Sequence, residues 1–203
     1  HADNAITQAG AVYVFNYDGN VWQQQAYLKT GEIGFFLNVG SAMSFSADGN
    51  VLAVGSFYSG KVYIFRRNAN NNQWSLDSAV NSASSGRNDH FGDSLELSSD
   101  GNTLAVGASR ADLPGILDTG AVHVFQFVNN AWNEEAILTA SAHEGDDSFS
   151  AAAEDQFGNS ISLSGDGATL VVGAHEKDFA AIDRVGAVYI FRKDEVISCF
   201  FIS

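Results

Sequence analysis

Residues 92–108 read GDSLELSSDGNTLAVGA, and residues 158–174, 66 positions further on, read GNSISLSGDGATLVVGA. A third version, MSFSADGNVLAVGS, begins at Met43. Each copy holds two short runs of alternating apolar residues separated by Asp-Gly. Alternation with a period of two is a strand signal. The Asp side chain bonds to its local backbone and the Gly supplies a positive φ, so the pair predicts a tight hairpin. Asp48, Asp100 and Asp166 are therefore read as turn residues rather than ion ligands.

Two further anchors recur around this hairpin. A Gly-led strand appears as GAVYVF (10–15), GKVYIF (60–65), GAVHVF (120–125) and GAVYIF (186–191), at intervals of 50, 60 and 66 residues. A tryptophan follows three of the four, at Trp22, Trp74 and Trp132. The order of anchors is kept while the intervals grow, as when insertions fall in loops. Each unit resolves into four short strands, written SLELS, TLAVGA, AVHVF and NEEAILTA in one copy. No segment sustains a helical period between two caps.

Four antiparallel strands in about 50 to 65 residues make one blade of a β-propeller. The predicted fold is all-β, with about three and a half four-stranded antiparallel blades. The predicted segments are a half blade at 1–33, blades at 34–84 and 85–142, and a last blade at 143–203 whose terminal strand, VISCFFIS, is aberrant. One blade cannot bury both faces alone, and closed propellers use about 4–8 blades. The chain is thus expected to be part of a longer propeller or to be completed by other chains. Bare strand edges and apolar faces promote association, so self-association is expected.

Composition narrows the function classes. The chain has 203 residues, 45% of them apolar and 12% aromatic, enough for a packed core. Its net charge of −14 disfavours nucleic acid and anionic membrane surfaces and favours cations or basic partners. No stretch reaches the ~20 apolar residues of a membrane-spanning helix. The single cysteine, Cys199, excludes an internal disulfide framework and a cysteine zinc site. It reads as a buried thiol, with an intermolecular disulfide as the alternative. The chain opens on His1 without a signal-peptide pattern, and is expected to be a processed chain or a piece of a longer one.

With Phe91-Gly92 and Phe157-Gly158 opening their units and Gly107-Ala108 and Gly173-Ala174 closing the second strands, the sequence resembles the FG-GAP repeat of integrin-α-like β-propellers in its bacterial form. The likeness runs from about Ala9 to Arg192. Val39-Gly40 stands where Phe-Gly is expected, so that blade entrance reads as degenerate. The resemblance implies an extracellular or cell-surface, secreted module that binds a protein or glycan in adhesion. It also implies calcium in the loop between the second and third strands, here 109–120 and 175–186. The carboxylates available are Asp112 with Asp118 and Asp178 with Asp183. Calcium takes 6–8 oxygen ligands and the contiguous Asp-x-Asp-x-Asp-Gly pattern is absent, so solvated loop acids are the competing reading. Asp89 and Asp155, two residues before each Phe-Gly, read as caps at the turn entering a blade. The acidic run 143–155 reads as a solvated insertion, or as a contact for a basic partner or cation.

Catalytic constellations are missing from the sequence. None of the five histidines has metal-ligand spacing, and no nucleophile elbow or phosphate loop occurs. Glu134-Glu135 and Asp146-Asp147 are adjacent acids, which on a strand point to opposite faces. His123 occupies the slot of Tyr13, Tyr63 and Tyr189, which is a structural position. The recurring tryptophans read as packing between blades. The expected class is a non-catalytic binding module. The alternatives are a self-assembling ring or fibre subunit and an accessory domain of a secreted carbohydrate-active enzyme.

Overall fold

The structure, a computed structural model, describes residues 10–32, 37–82, 88–140, 154–178, 184–193 and, by its backbone, 195–200. Fourteen strands form four antiparallel sheets among these residues. A two-stranded half blade consists of β1 (Val12–Tyr17) and β2 (Trp22–Leu28). The first full blade is β3 (Met43–Phe45), β4 (Val51–Ser56), β5 (Lys61–Arg67) and β6 (Trp74–Val80). The second is β7 (Phe91–Leu97), β8 (Thr103–Ala108), β9 (Ala121–Val128) and β10 (Ala131–Leu138). The third is β11 (Ser160–Leu163), β12 (Thr169–Ala174), β13 (Ala187–Arg192) and β14 (Glu195–Phe200). The fold is the β-propeller arrangement that the repeat predicts. The irregular tail forms the fourth strand of the last blade, with Cys199 opposite Tyr189 in register.

The Asp-Gly turns behave as the sequence predicts, with one addition. Asp48, Asp100 and Asp166 each accept the backbone N–H two residues on, at 2.9–3.0 Å. Each also accepts the hydroxyl of a serine two residues earlier (Ser46, Ser98 and Ser164) at 2.5–2.6 Å. Those hydroxyls in turn accept the N–H that starts the next strand, at 2.9 Å in all three copies. The serine bond, then the backbone bond, hold all three carboxylates below their usual pKa. The motif is thus Ser-x-Asp-Gly, and its acids are spent on the turn.

The core lies between blades, not within them. Val12, Val14 and Leu28 of the half blade pack with Leu52, Val54, Tyr63 and Phe65. The opposite face of the first full blade, with Val51, Ala53, Val62 and Ile64, packs on Phe91, Leu95, Leu104 and Val106. Ala105 and Val122 then meet Phe157, Leu170, Val172 and Tyr189. Each buried aliphatic side chain contributes about 1.5–3 kcal/mol relative to exposure.

The phenylalanines of the Phe-Gly motifs close each blade on its own third strand, and the glycines of the Phe-Gly and Gly-Ala motifs bring neighbouring blades into contact. Phe91 is fully buried and packs edge-on against His123 and Phe125, with ring centroids at 5.2 and 6.0 Å. Phe157 does the same with Tyr189 and Phe191, at 5.1 and 5.9 Å. The glycine after each phenylalanine brings its carbonyl against a glycine of the preceding blade. A Cβ on Gly55 would lie 2.1 Å from Gly92 O, and one on Gly107 would lie 2.2 Å from Gly158 O. Further straps run from Ser41 Oγ to Gly92 O (3.1 Å), Ser94 Oγ to Gly158 O (2.6 Å) and, at the hairpin tips, Ala47 N to Ser99 O (2.9 Å) and Ser99 N to Gly165 O (2.8 Å).

The entrance at Val39-Gly40, degenerate in sequence, is intact in structure. Val39 is buried with Tyr63 and Phe65. Gly40 N donates to Gly55 O at 2.9 Å, matching Gly158 N to Gly173 O at 3.0 Å. A branched apolar side chain fills the phenylalanine slot, and the backbone geometry needs only the glycine.

Candidate functional site

Strand direction sorts the connections into two ends. The Asp-Gly turns and the β9–β10 turn, where Asn129 and Asn130 both take positive φ, lie at one end. The connections between second and third strands, and those between successive blades, lie at the other. The described parts of the segments in which the repeats disagree, 109–120, 154–155, 175–178 and 184–186, therefore share one end of the blades. Residues 143–153 and 179–183, with Asp146, Asp147 and Asp183, lie outside the described residues.

The loop 109–120 is closed by its own backbone. Asp112 Oδ1 accepts Asp118 N–H at 2.8 Å, and Gly120 N donates to Ala111 O at 2.9 Å. In the third full blade Asp178 Oδ1 accepts Arg184 N–H at 2.8 Å, and Gly186 N donates to Lys177 O at 2.9 Å. Asp112 and Asp178 are thus equivalent loop caps. The position equivalent to Asp118 is Arg184, not Asp183, and both residues sit at positive φ, 51° and 56°. Among the described residues no group of three or more His, Cys, Asp or Glu side chains comes together. Among the described residues each loop has one capped aspartate and one further acid, Asp118 in one loop and Glu176, paired with Arg184 at 2.8 Å, in the other, which is far from the oxygen shell of calcium. Asn keeps the accepting oxygen, so Asp112→Asn is expected to hold the melting temperature while Asp112→Ala lowers stability by about 1 kcal/mol. Thermal melts of the two variants check this.

A buried acid stands at the entrance of the third full blade. Asp155 is 1% exposed and accepts Lys177 Nζ at 3.0 Å, an ion pair that ties the approach of the third full blade to its own loop. The sequence reading has Asp155 as a turn cap and overlooks Lys177, whose counterpart in the preceding blade is the neutral Ala111. Asp89 differs: its backbone carbonyl accepts Arg110 N–H at 3.1 Å.

Asp93 follows Phe91-Gly92 and accepts the hydroxyl of buried Ser109 on one oxygen. Its other oxygen is buried without a hydrogen bond, and His90 Nδ1 stands 4.0 Å away. Burial, opposed by the Ser109 bond, pushes its pKa up to about 6 from 3.8. The native state then holds a proton that the unfolded chain has lost, so this group lowers stability as pH rises from about 4 to about 6. The third full blade carries Asn159 at the same place. Asp93→Asn is expected to gain about 2 kcal/mol at pH 7 and to remove this pH slope. Urea denaturation at pH 4.5 and pH 7 reads both.

The two adjacent glutamates have separate partners. Glu134 Oε1 accepts from His123 Nδ1 at 2.7 Å, whereas Glu135 faces Lys193 at 3.3 Å. His123 is 1% exposed, and burial lowers its pKa against the pull of Glu134. By register Glu134 stands opposite Phe125, as Leu76 stands opposite Phe65. The blade with His in the tyrosine slot is the one with an acid to satisfy it. Trp74 and Trp132 pack against interblade cores. Trp22 is 70% exposed, a departure from the packing role read for it.

Residues 77–125 and 150–191 match the FG-GAP repeat family. No curated protein sequence matches the chain. Among solved structures it is similar to the β-propeller domain of Cps50 (Swd1) from Myceliophteria thermophila, at 14% identity and a TM-score of 0.60, covering 97% of this chain and 50% of that one. It is also similar to a 6-phosphogluconolactonase-like protein from Bacteroides uniformis (16% identity, TM-score 0.56, 93% and 49% covered). A functionally unknown protein from Desulfotomaculum acetoxidans is a third (16%, 0.55, 97% and 51%). At these identities the likenesses show the fold alone, and the chain spans about half the length of each structure. Sequence motif, blade geometry and comparison agree: residues 77–125 and 150–191 are FG-GAP repeats, on a β-propeller scaffold.

Proposed function

We propose that this propeller segment is a non-catalytic binding module of a secreted or cell-surface protein, and that it takes a protein or glycan ligand at its loop end. The observation behind this reading is the segregation of the repeats' differences. The shared residues are consumed in turns and blade contacts, and the described parts of the divergent segments lie at one end of a rigid scaffold, where binding residues concentrate. That end exposes Leu117 (67%) and Arg110 beside Asp112. Glycan and extracellular-protein arrays test the proposal. Binding should be weakened by an Arg110→Ser/Leu117→Ser double variant and untouched by Asp166→Ala at the turn end. The reverse pattern, or no bound ligand, would sink it.

Calcium at the two loops, which the family resemblance implies, is a separate reading and finds little support in the capped aspartates. A chelator-sensitive melting temperature, lost in Asp112→Asn, would establish it. A self-assembling subunit is the second functional reading, favoured by the uncovered aromatic face of the half blade. Light scattering decides it, since a stable 21.6 kDa monomer would exclude it.

A further inference from the structure

In the three full blades the third strand is paired on both sides. β5 pairs β4 and β6, β9 pairs β8 and β10, and β13 pairs β12 and β14. The corresponding β1 pairs β2 alone, so among the described residues its other edge is bare. The face that goes with this edge is also bare. Tyr63 and Phe65, His123 and Phe125, and Tyr189 and Phe191 are all at most 7% exposed. The half blade's equivalents, Tyr13 and Phe15, are 56% and 51% exposed. Tyr17, Trp22 and Tyr27 extend the patch at 51%, 70% and 44%. These rings already pack on one another, Tyr13 on Tyr27 at 4.9 Å and Tyr17 on Trp22 at 5.3 Å.

The chain itself shows what covers this face. In the second and third full blades the aromatic pair receives, edge-on, the phenylalanine of a Phe-Gly-led hairpin, and that hairpin's second strand supplies the missing ladder. The rest of the half blade is already docked in the usual way. Gly10 bridges to Val39, and Val12, Val14 and Leu28 lie in the core shared with the first full blade. We infer that the bare edge and aromatic face of β1–β2 form a docking site for a Phe-Gly-led β-hairpin of the same repeat type, taken up by strand addition. Backbone bonds along β1 give such a site affinity, and the slot over Tyr13 and Phe15 gives it selectivity. A second folded copy of this chain does not meet the requirement, because both of its Phe-Gly hairpins are already paired with the third strands of their own blades.

The hairpin 157–174, FGNSISLSGDGATLVVGA, is the fitting probe. Its own partner strand, GAVYIF, differs from the half blade's GAVYVF at one position. A labelled synthetic peptide of this sequence, titrated into the full chain and followed by anisotropy, should bind saturably. Phe157→Ala in the peptide and Phe15→Ser in the protein should each weaken binding about tenfold or more. Phe15 is exposed, so its replacement leaves the fold intact. Val171→Asp, on the far face of the third full blade, should change nothing. Absent or unsaturable binding, equal binding by the Phe157→Ala peptide, or indifference to Phe15→Ser would overturn the proposal. So would loss of binding in Val171→Asp, or Phe15→Ser converting a self-associated chain to monomer without affecting the peptide. None of these readouts involves the loop end, so this site and the ligand site proposed there stand or fall separately.

Discussion

Gly107→Ala is expected to destabilise the chain by about 3 kcal/mol, near the upper end for an overpacked core. For a domain of this size that lowers the melting temperature by roughly 6–12 °C. The added methyl would sit 2.2 Å from Gly158 O and 2.1 Å from Ser94 Oγ. The carbonyl belongs to backbone that is itself hydrogen-bonded into the next blade, with Gly158 N donating to Gly173 O. Relief therefore requires the two blades to move apart. That loosens the Phe157 packing and the Ser94 strap at the same time. Gly173→Ala is the control. Its methyl meets only the Ser160 side chain, at 2.3 Å, and a serine rotamer change clears it. Calorimetry of the two variants should show a large loss for the first and a small one for the second. Equal losses would mean that the glycines serve strand conformation and not blade contact.

Phe157→Ala should cost about 3–5 kcal/mol, the range for removing a fully buried aromatic side chain. Its ring is 0% exposed and holds Tyr189 and Phe191 edge-on. The cavity opens in the core shared by the second and third full blades. Phe157→Val should cost clearly less, because Val39 performs this role at the first entrance while only 7% exposed. Denaturant midpoints of the two variants test the ordering. A valine variant as damaged as the alanine one would show that the first entrance differs in more than the residue it carries.

Much of this was legible before any coordinates. The period-two runs, the Asp-Gly turns and the Gly-led strands are local signals, and local chemistry sets them: a turn needs its acceptor and its positive φ wherever it sits. The serines that complete the turn motif also recur in the sequence at a fixed offset before Asp48, Asp100 and Asp166, and could have been read there. Lys177 could not. Its partner Asp155 lies 22 residues away, and its counterpart in the sister loop is an alanine. That Arg184 is the counterpart of Asp118 is likewise fixed by the cap from Asp178 to Arg184 N–H and not by composition.

The clearest division is between TLAVGA at 103–108 and TLVVGA at 169–174. The two are nearly the same text and form the same second strand of a blade. In β8 every residue is buried, whereas in β12 burial alternates. Tyr13 and Tyr63 diverge likewise, 56% against 1% exposed in almost identical strands. Sequence determined strand, turn and blade, because these depend on residues a few positions apart. Which faces are covered, and so which are left to bind, was decided by the tertiary structure, because burial belongs to a strand's neighbours and not to the strand.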